Sequence, residues 1–206
     1  MDTQTLSCIE LISISTSLAV LSRRTTATLI SFSVAIKAMS AALSSPYEVT
    51  GVAHDPSTAT THFRFEGFAA SVAYRAAELT KKLSAFGTAA EAQTDWTAIR
   101  DVHAFANNQG DVWRISVKPS DAAALTAKLG ATAVQYDWGG GLIWALTPEG
   151  HDLRTAMGGT AGHATLIRGK GCGPTFHPEP APIAAITAGL RAKFDPRNIL
   201  NTGIMS

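Results

Sequence analysis

The feature that most constrains this chain is a succession of hydrophobic periodicities that reads strand, helix, strand, strand, helix, and then repeats in the same order. A period near two marks a half-buried strand, and apolar spacings of three and four mark a helix face. In the first half, residues 26–31 have the β-branched, apolar character of a strand. Ile36, Met39 and Leu43 then follow at helical spacing. Ser45-Pro46 closes that helix, because the ring of Pro46 disfavours helical backbone in the residue before it. Residues 47–53 read as a second strand, and an Asp/Pro/Ser/Thr-rich turn leads to a third at 62–66. There Phe63 and Phe65 alternate with His62, Arg64 and Glu66. Phe68, Val72, Leu79, Leu83 and Phe86 form one stripe of the next helix, which Gly87 ends.

A short helix with Thr94 at its N-cap carries Trp96, Ile99 and His103 on one side, and a loop at 107–110 follows. The order then recurs. Trp113, Ile115 and Val117 alternate with Arg114, Ser116 and Lys118, and Pro119-Ser120-Asp121 opens a helix bearing Leu125 and Leu129 up to Gly130. Val134, Tyr136 and Trp138 alternate in the next strand. Gly139-Gly140-Gly141 turns the chain into a strand at 142–146. A helix near 151–157 and a last strand at 163–168 complete the repeat.

The pattern predicts an α+β fold: duplicated ferredoxin-like (split βαβ) units forming one wide antiparallel sheet of about seven strands, with helices on one face. The main domain is expected over 25–168. It is preceded by an N-terminal segment or linker at 1–24. A wrapping loop, a helix and a tail follow at 169–206, where Ile183, Ile186, Leu190 and Phe194 mark the helix. Neither GxGxxG nor GxxxxGK[ST] occurs, so no phosphate-binding loop of those kinds is present.

Composition narrows the function classes. A hydrophobic fraction of 46% against 16% charged residues excludes a disordered tail. Lys and Arg number 17 against 16 Asp and Glu, with no basic cluster, which argues against nucleic-acid binding. Residues 8–21 are largely apolar. Asp2 precedes them and Glu10 lies among them, unlike a signal peptide, and the run is shorter than the ~18 residues a bilayer span needs. It reads as a linker or a buried edge strand, and no transmembrane segment is expected. Cys8 and Cys172 are far apart and belong to no CxxC pair, as suits a cytoplasmic protein.

The tail FDPRNILNTG is similar to the FDPxxILNPG ending of FAD-linked oxidases of the vanillyl-alcohol oxidase type. Upstream, SSPYEVTGVAH, DWTAIRDVHAF, VWRISV, YDWGGGLIW and GHATLIRG, in that order, resemble the C-terminal half of the FAD-binding subunit of bacterial glycolate oxidase. The resemblance runs from about Thr25 to Gly203. It implies a substrate-side cap over the ring of FAD, in an oxidoreductase that oxidises glycolate or a similar small 2-hydroxy acid. A flavin domain takes roughly another 150 to 200 residues. The chain is therefore expected to be a truncated subunit that lacks its flavin domain, holds no FAD and is inactive by itself. The implied partners are the flavoprotein and iron-sulfur subunits of a glycolate oxidase complex, in the cytoplasm or at the inner face of the membrane through those partners. The alternative is a non-catalytic assembly or interaction module of the same complex.

The same resemblance selects the candidate site residues. Related D-2-hydroxy-acid dehydrogenases carry an arginine shortly after a tryptophan in the cap, which holds the substrate carboxylate. Here Trp96 and Arg100 stand one residue further apart. The bland alternative for Arg100 is a surface ion pair with Asp101. Trp138, after Tyr136 and Asp137 and before the triple glycine, is a candidate to face substrate or flavin; otherwise it belongs to a hairpin with an aromatic core strand. Asn201 and Gly203 match the family's NPG ending, which lies near the flavin, with Thr202 in place of the proline. None of these residues is expected to be catalytic, since the hydride chemistry belongs to the flavin. His151 and His163 stand twelve apart, His177 lies in a loop and no Glu-His pair occurs, so no metal site is expected.

Overall fold

Alternation along one strand decides which way the sheet faces. In the strand Thr60–Gly67, Phe63 and Phe65 are fully buried, while His62 and Arg64 are partly exposed on the opposite side. Burying each phenylalanine is worth about 1.5–3 kcal/mol, so the register of this strand is strongly specified. The computed structural model describes residues 8–15 and 24–204, with side chains from residue 32 onward.

In chain order the elements are β1 Cys8–Ser15, α1 Arg24–Leu43, β2 Gly51–Asp55, β3 Thr60–Gly67, α2 Ala69–Leu83, β4 Thr88–Glu91, α3 Trp96–Arg100, β5 Asp111–Val117, α4 Ala122–Thr126, β6 Ala133–Asp137, β7 Leu142–Thr147, α5 Leu153–Met157, β8 Gly162–Arg168 and α6 Ala181–Phe194. The fold is mixed α+β, with one antiparallel sheet flanked by helices. The strands lie in the order β4-β1-β3-β2-β6-β7-β5-β8. At the centre, β2 meets β6 through the single register pair His54↔Tyr136.

One core joins α1, α2, α4 and α5 to the same side of the sheet. It contains Ala35, Met39, Val72, Leu79, Leu125 and Met157 from the helical side, and Phe63, Trp113, Ile115, Tyr136 and Ile143 from the strands. Phe32 of α1 lies over the central seam, its ring 3.8 Å from that of Tyr136 and 5.8 Å from that of His54. The opposite side is covered only locally. There Val102 and Phe105, just after α3, pack on Val112 and Leu146 as a separate small cluster.

Several expectations are corrected. Residues 26–31 lie inside α1, not in a strand. A short β-branched, apolar run does not by itself separate strand from helix, and no Gly or Pro interrupts 24–43. The strand expected at 47–53 is β2, which begins at Gly51. Cys8–Ser15 is a strand but not an edge one, because it is paired on both sides, with β3 and with β4. Residues 1–7 and 16–23 of the N-terminal segment lie outside the described residues. β4 was not expected, and it brings the sheet to eight strands. Trp138 falls beyond the end of β6, in a tight helical turn over Trp138–Gly140. Helices are not confined to one face, since α3 packs on the other. α6 buries no side chain.

Candidate functional site

The side of the sheet away from the main core is where exposed chemistry collects. In β5, Trp113 and Ile115 enter the core, which turns Val112, Arg114 and Ser116 to the open face. Directly opposed residues on neighbouring strands share a face. Arg114 is therefore flanked by Trp144 of β7 and Thr165 of β8, and Ser116 by Leu142 and His163.

The turn after β6 supplies the aromatic partner. The backbone passes through the left-handed region at Trp138 (φ 53°), Gly139 (φ 66°) and Gly140 (φ 97°). Side chains at the two glycines would run into Leu43 and Ile36, so α1 sits directly on this turn and requires glycine there. Trp138 adopts the same region without that licence, a strained conformation for a bulky residue. The Asp137 carboxylate holds the turn by accepting a 2.7 Å hydrogen bond from the Trp138 amide. Burial raises the Asp137 carboxyl above the usual carboxylate range, and the same amide bond opposes that shift. The indole of Trp138 is 58% exposed and lies under the guanidinium of Arg114, whose Cζ stands 5.0 Å from the ring centroid.

The other candidates lie elsewhere. Arg100 ends α3, which Asp95 caps through the Ala98 amide at 3.0 Å. Its guanidinium makes a two-pronged pair with Asp101, Nε to Oδ1 at 2.7 Å and Nη2 to Oδ2 at 2.9 Å, on an exposed surface. Asp101 raises the pKa of Arg100 through that bond. Asn201 and Gly203 lie in the exposed C-terminal turn at positive φ, 49° and 83°. Arg100, Trp138 and the tail pair thus form no shared hydrogen-bonded group. Trp138 has instead acquired Arg114, which sequence reasoning placed on the polar side of its strand without singling it out. The available signal was a mid-strand cation facing away from a buried Trp-x-Ile.

Two concave sites lie apart from this pair. A cleft of about 560 Å³ is lined by loop 106–111, Glu149, Arg168 and Lys170. Its groups are mutually engaged. The Asp111 carboxylate accepts from the amides of Gly150, Lys170 and Gly171, Arg168 donates to the carbonyls of Ala106 and Asn108, and Lys170 pairs with Glu149. A smaller pocket of about 160 Å³ lies between β2, β6 and α3, beside His62, Ile99 and Gln135. Burial lowers the pKa of His62, whose Nδ1 lies 3.1 Å from Thr94 Oγ1, and Gln135 donates to the Ile99 carbonyl at 2.9 Å.

Among the described residues no group of three or more His, Cys, Asp or Glu is placed to hold a metal ion. For the flavin that the resemblance implies, the fit is one-sided. Trp138 and Arg114 offer an aromatic plane and a cation to a ring. Among the described residues no glycine-rich loop opens a helix, however, in the manner that cradles a pyrophosphate.

Fold and site together define an α+β protein with a broad antiparallel sheet, one side of which carries an exposed arginine-tryptophan pair. Comparison with protein-family models, with curated proteins and with solved structures finds no match.

Proposed function

We propose that the chain is the substrate-side cap of an FAD-dependent oxidoreductase that oxidises glycolate or a similar 2-hydroxy acid, of the kind seen in the FAD-binding subunit of bacterial glycolate oxidase. The observation that carries this reading is the strand order. Outward from the central seam, the first half runs β2-β3-β1-β4 and the second β6-β7-β5-β8, each built from a strand-helix-strand-strand-helix-strand succession. That order supports the reading of the sheet as two split βαβ units joined edge to edge, which the resemblance implies. Most of the helices load one side of the sheet, and the part of the other side that α3 leaves open is free to face a partner. Here that other side carries Trp138 and Arg114.

When bound, the flavin supplies the hydride acceptor. The chain's own residues bind and orient the acid and exclude water from its surroundings. FAD is held by residues other than these, and the electrons pass to an iron-sulfur partner in the cytoplasm. Among the described residues no helix is long and apolar enough to cross a membrane. A second reading, a non-catalytic assembly module of the same complex, is favoured by α6. Ile183, Ile186, Leu190 and Phe194 form a stripe that is between 49% and 76% exposed.

The test begins with the purified chain and FAD. It should emerge colourless from desalting, and stoichiometric retained flavin would overturn the division of labour. Mixing it with a flavin-loaded subunit of a bacterial glycolate oxidase should then give co-elution and glycolate-dependent bleaching of the flavin band. Co-elution without any effect on bleaching would select the assembly module, and no co-elution would defeat both readings.

A further inference from the structure

We infer that the carboxylate anchor of this chain is Arg114, which lies against Trp138 on the open face, and that the site takes small 2-hydroxy carboxylates. The identity of the acid rests on the cap reading above; the anion site itself does not. A guanidinium that grips a carboxylate has two needs. Two parallel N–H donors must remain available at its edge, and the plane must be fixed so that little rotamer freedom is lost on binding.

Arg100 is the poorer anchor, since Asp101 already holds its Nε and Nη2 and offsets its charge. Arg114 keeps its donors, since the contact with the Trp138 ring, 5.0 Å from its Cζ, limits the freedom of the side chain without consuming an N–H. No ion pair joins Arg114 to an acid among the described residues.

Its surroundings suit an anion that also carries a hydroxyl. Across β8 stands Thr165. Two residue pairs further along, Ser116 lies opposite His163 on the same face. Hydroxyls and an imidazole can donate to a second carboxylate oxygen or pair with the 2-hydroxyl. The nearby acid, Asp137, is turned to the Trp138 amide, so it shapes the turn instead of neutralising the arginine. The strain at Trp138 belongs to the same device. A turn that holds a tryptophan at φ 53° does so at an energetic cost, and what it accomplishes here is to lay the indole beneath Arg114.

The test is a titration of the intact chain, followed by the indole N–H of Trp138 and the Nε–H of Arg114 in nitrogen-proton correlation spectra. Glycolate and lactate should shift both signals saturably, whereas glycolamide, which lacks the charge, should not. Arg114→Gln should weaken binding by about tenfold or more, Arg114→Lys should restore only part of it, and Arg100→Gln should leave it unchanged. The spectra of the variants report at once whether the fold is intact. No response up to about 50 mM, an equal response to chloride, or a loss confined to Arg100→Gln would overturn the assignment. In the assembled oxidase, Arg114→Gln should raise KM for glycolate, and an unchanged KM would sink Arg114 while leaving the cap reading standing. Carboxylate binding by a chain that joins no flavoprotein would do the reverse.

Discussion

His54 shows how one buried side chain sets a condition on the whole fold. Its Nδ1 shares a 2.9 Å hydrogen bond with Thr61 Oγ1, its ring stacks on Phe32, and its Nε2 is buried with no hydrogen-bond partner. Burial pushes its pKa down from 6.5 to about 4, with His62 adding to the effect and Asp55 opposing it. In the unfolded chain the ring takes up its proton near pH 6.5, while in the folded protein it stays neutral down to about pH 4. Between those values the unfolded state binds more protons, so stability falls as the pH falls, by at most about 3 kcal/mol. His62, lowered in the same direction, adds to the slope. Urea midpoints measured near neutrality and near pH 4.5 should therefore differ clearly for the native sequence and much less for His54→Asn. Equal slopes for the two proteins would show that the ring takes up its proton as readily in the folded protein as in the unfolded chain.

At the scale of elements, α5 and β8 are tied to the loop that follows them by one arginine. Arg154 donates to the carbonyls of Ala164, Pro174 and Thr175, and its guanidinium lies 5.0 Å from the Trp113 ring centroid. The Leu166 amide completes the tie by donating to the Thr175 carbonyl at 2.9 Å. Arg154→Met keeps the apolar stem and removes the donors. It should cost about 2 to 3 kcal/mol and speed hydrogen exchange at the Leu166 amide well before the amides of β5. Uniform exchange throughout β8 and β5 would argue that the loop carries no separate stability. This tie was not legible in the sequence, because it joins a helix to a carbonyl-lined loop about twenty residues away. Legibility followed local pattern. β3 and β5 announced themselves through Phe63/Phe65 and Trp113/Ile115, side chains whose burial the alternation dictates. β4, with the sequence TAAE, has no such alternation and is a strand because β1 offers it a partner. At the site, Trp138 was visible as an aromatic before three glycines. Arg114 was hidden, because only the fold of the β6–β7 turn brings that indole back over β5.

For the whole molecule the decisive place is the seam between the halves of the sheet. β2 and β6 share one register pair, far fewer than the six that join β5 to β7, so backbone pairing alone binds the halves weakly. Side chains close the gap. Phe32 descends from α1 onto both His54 of β2 and Tyr136 of β6, and the three rings bridge the seam from the core side. The Tyr136 hydroxyl is fixed in turn by Thr126 Oγ1 at 2.9 Å, which extends the bridge to α4. If the seam is held this way, Phe32→Ala should do more than open a cavity. It should cost about 3 to 5 kcal/mol and also lower the cooperativity of unfolding, since each half keeps its own strand pairings when the bridge is lost. The tryptophans make the distinction measurable. Trp113, Trp138 and Trp144 all belong to the second half, so fluorescence reports mainly on that half, while far-ultraviolet dichroism reports on both. The native sequence should give coincident urea transitions by the two probes, and Phe32→Ala should separate them. A truncation of similar size away from the seam, Leu79→Ala in α2, should instead shift both transitions together. If Phe32→Ala also left them coincident, the halves would be one cooperative body joined by the helices and not by the ring stack.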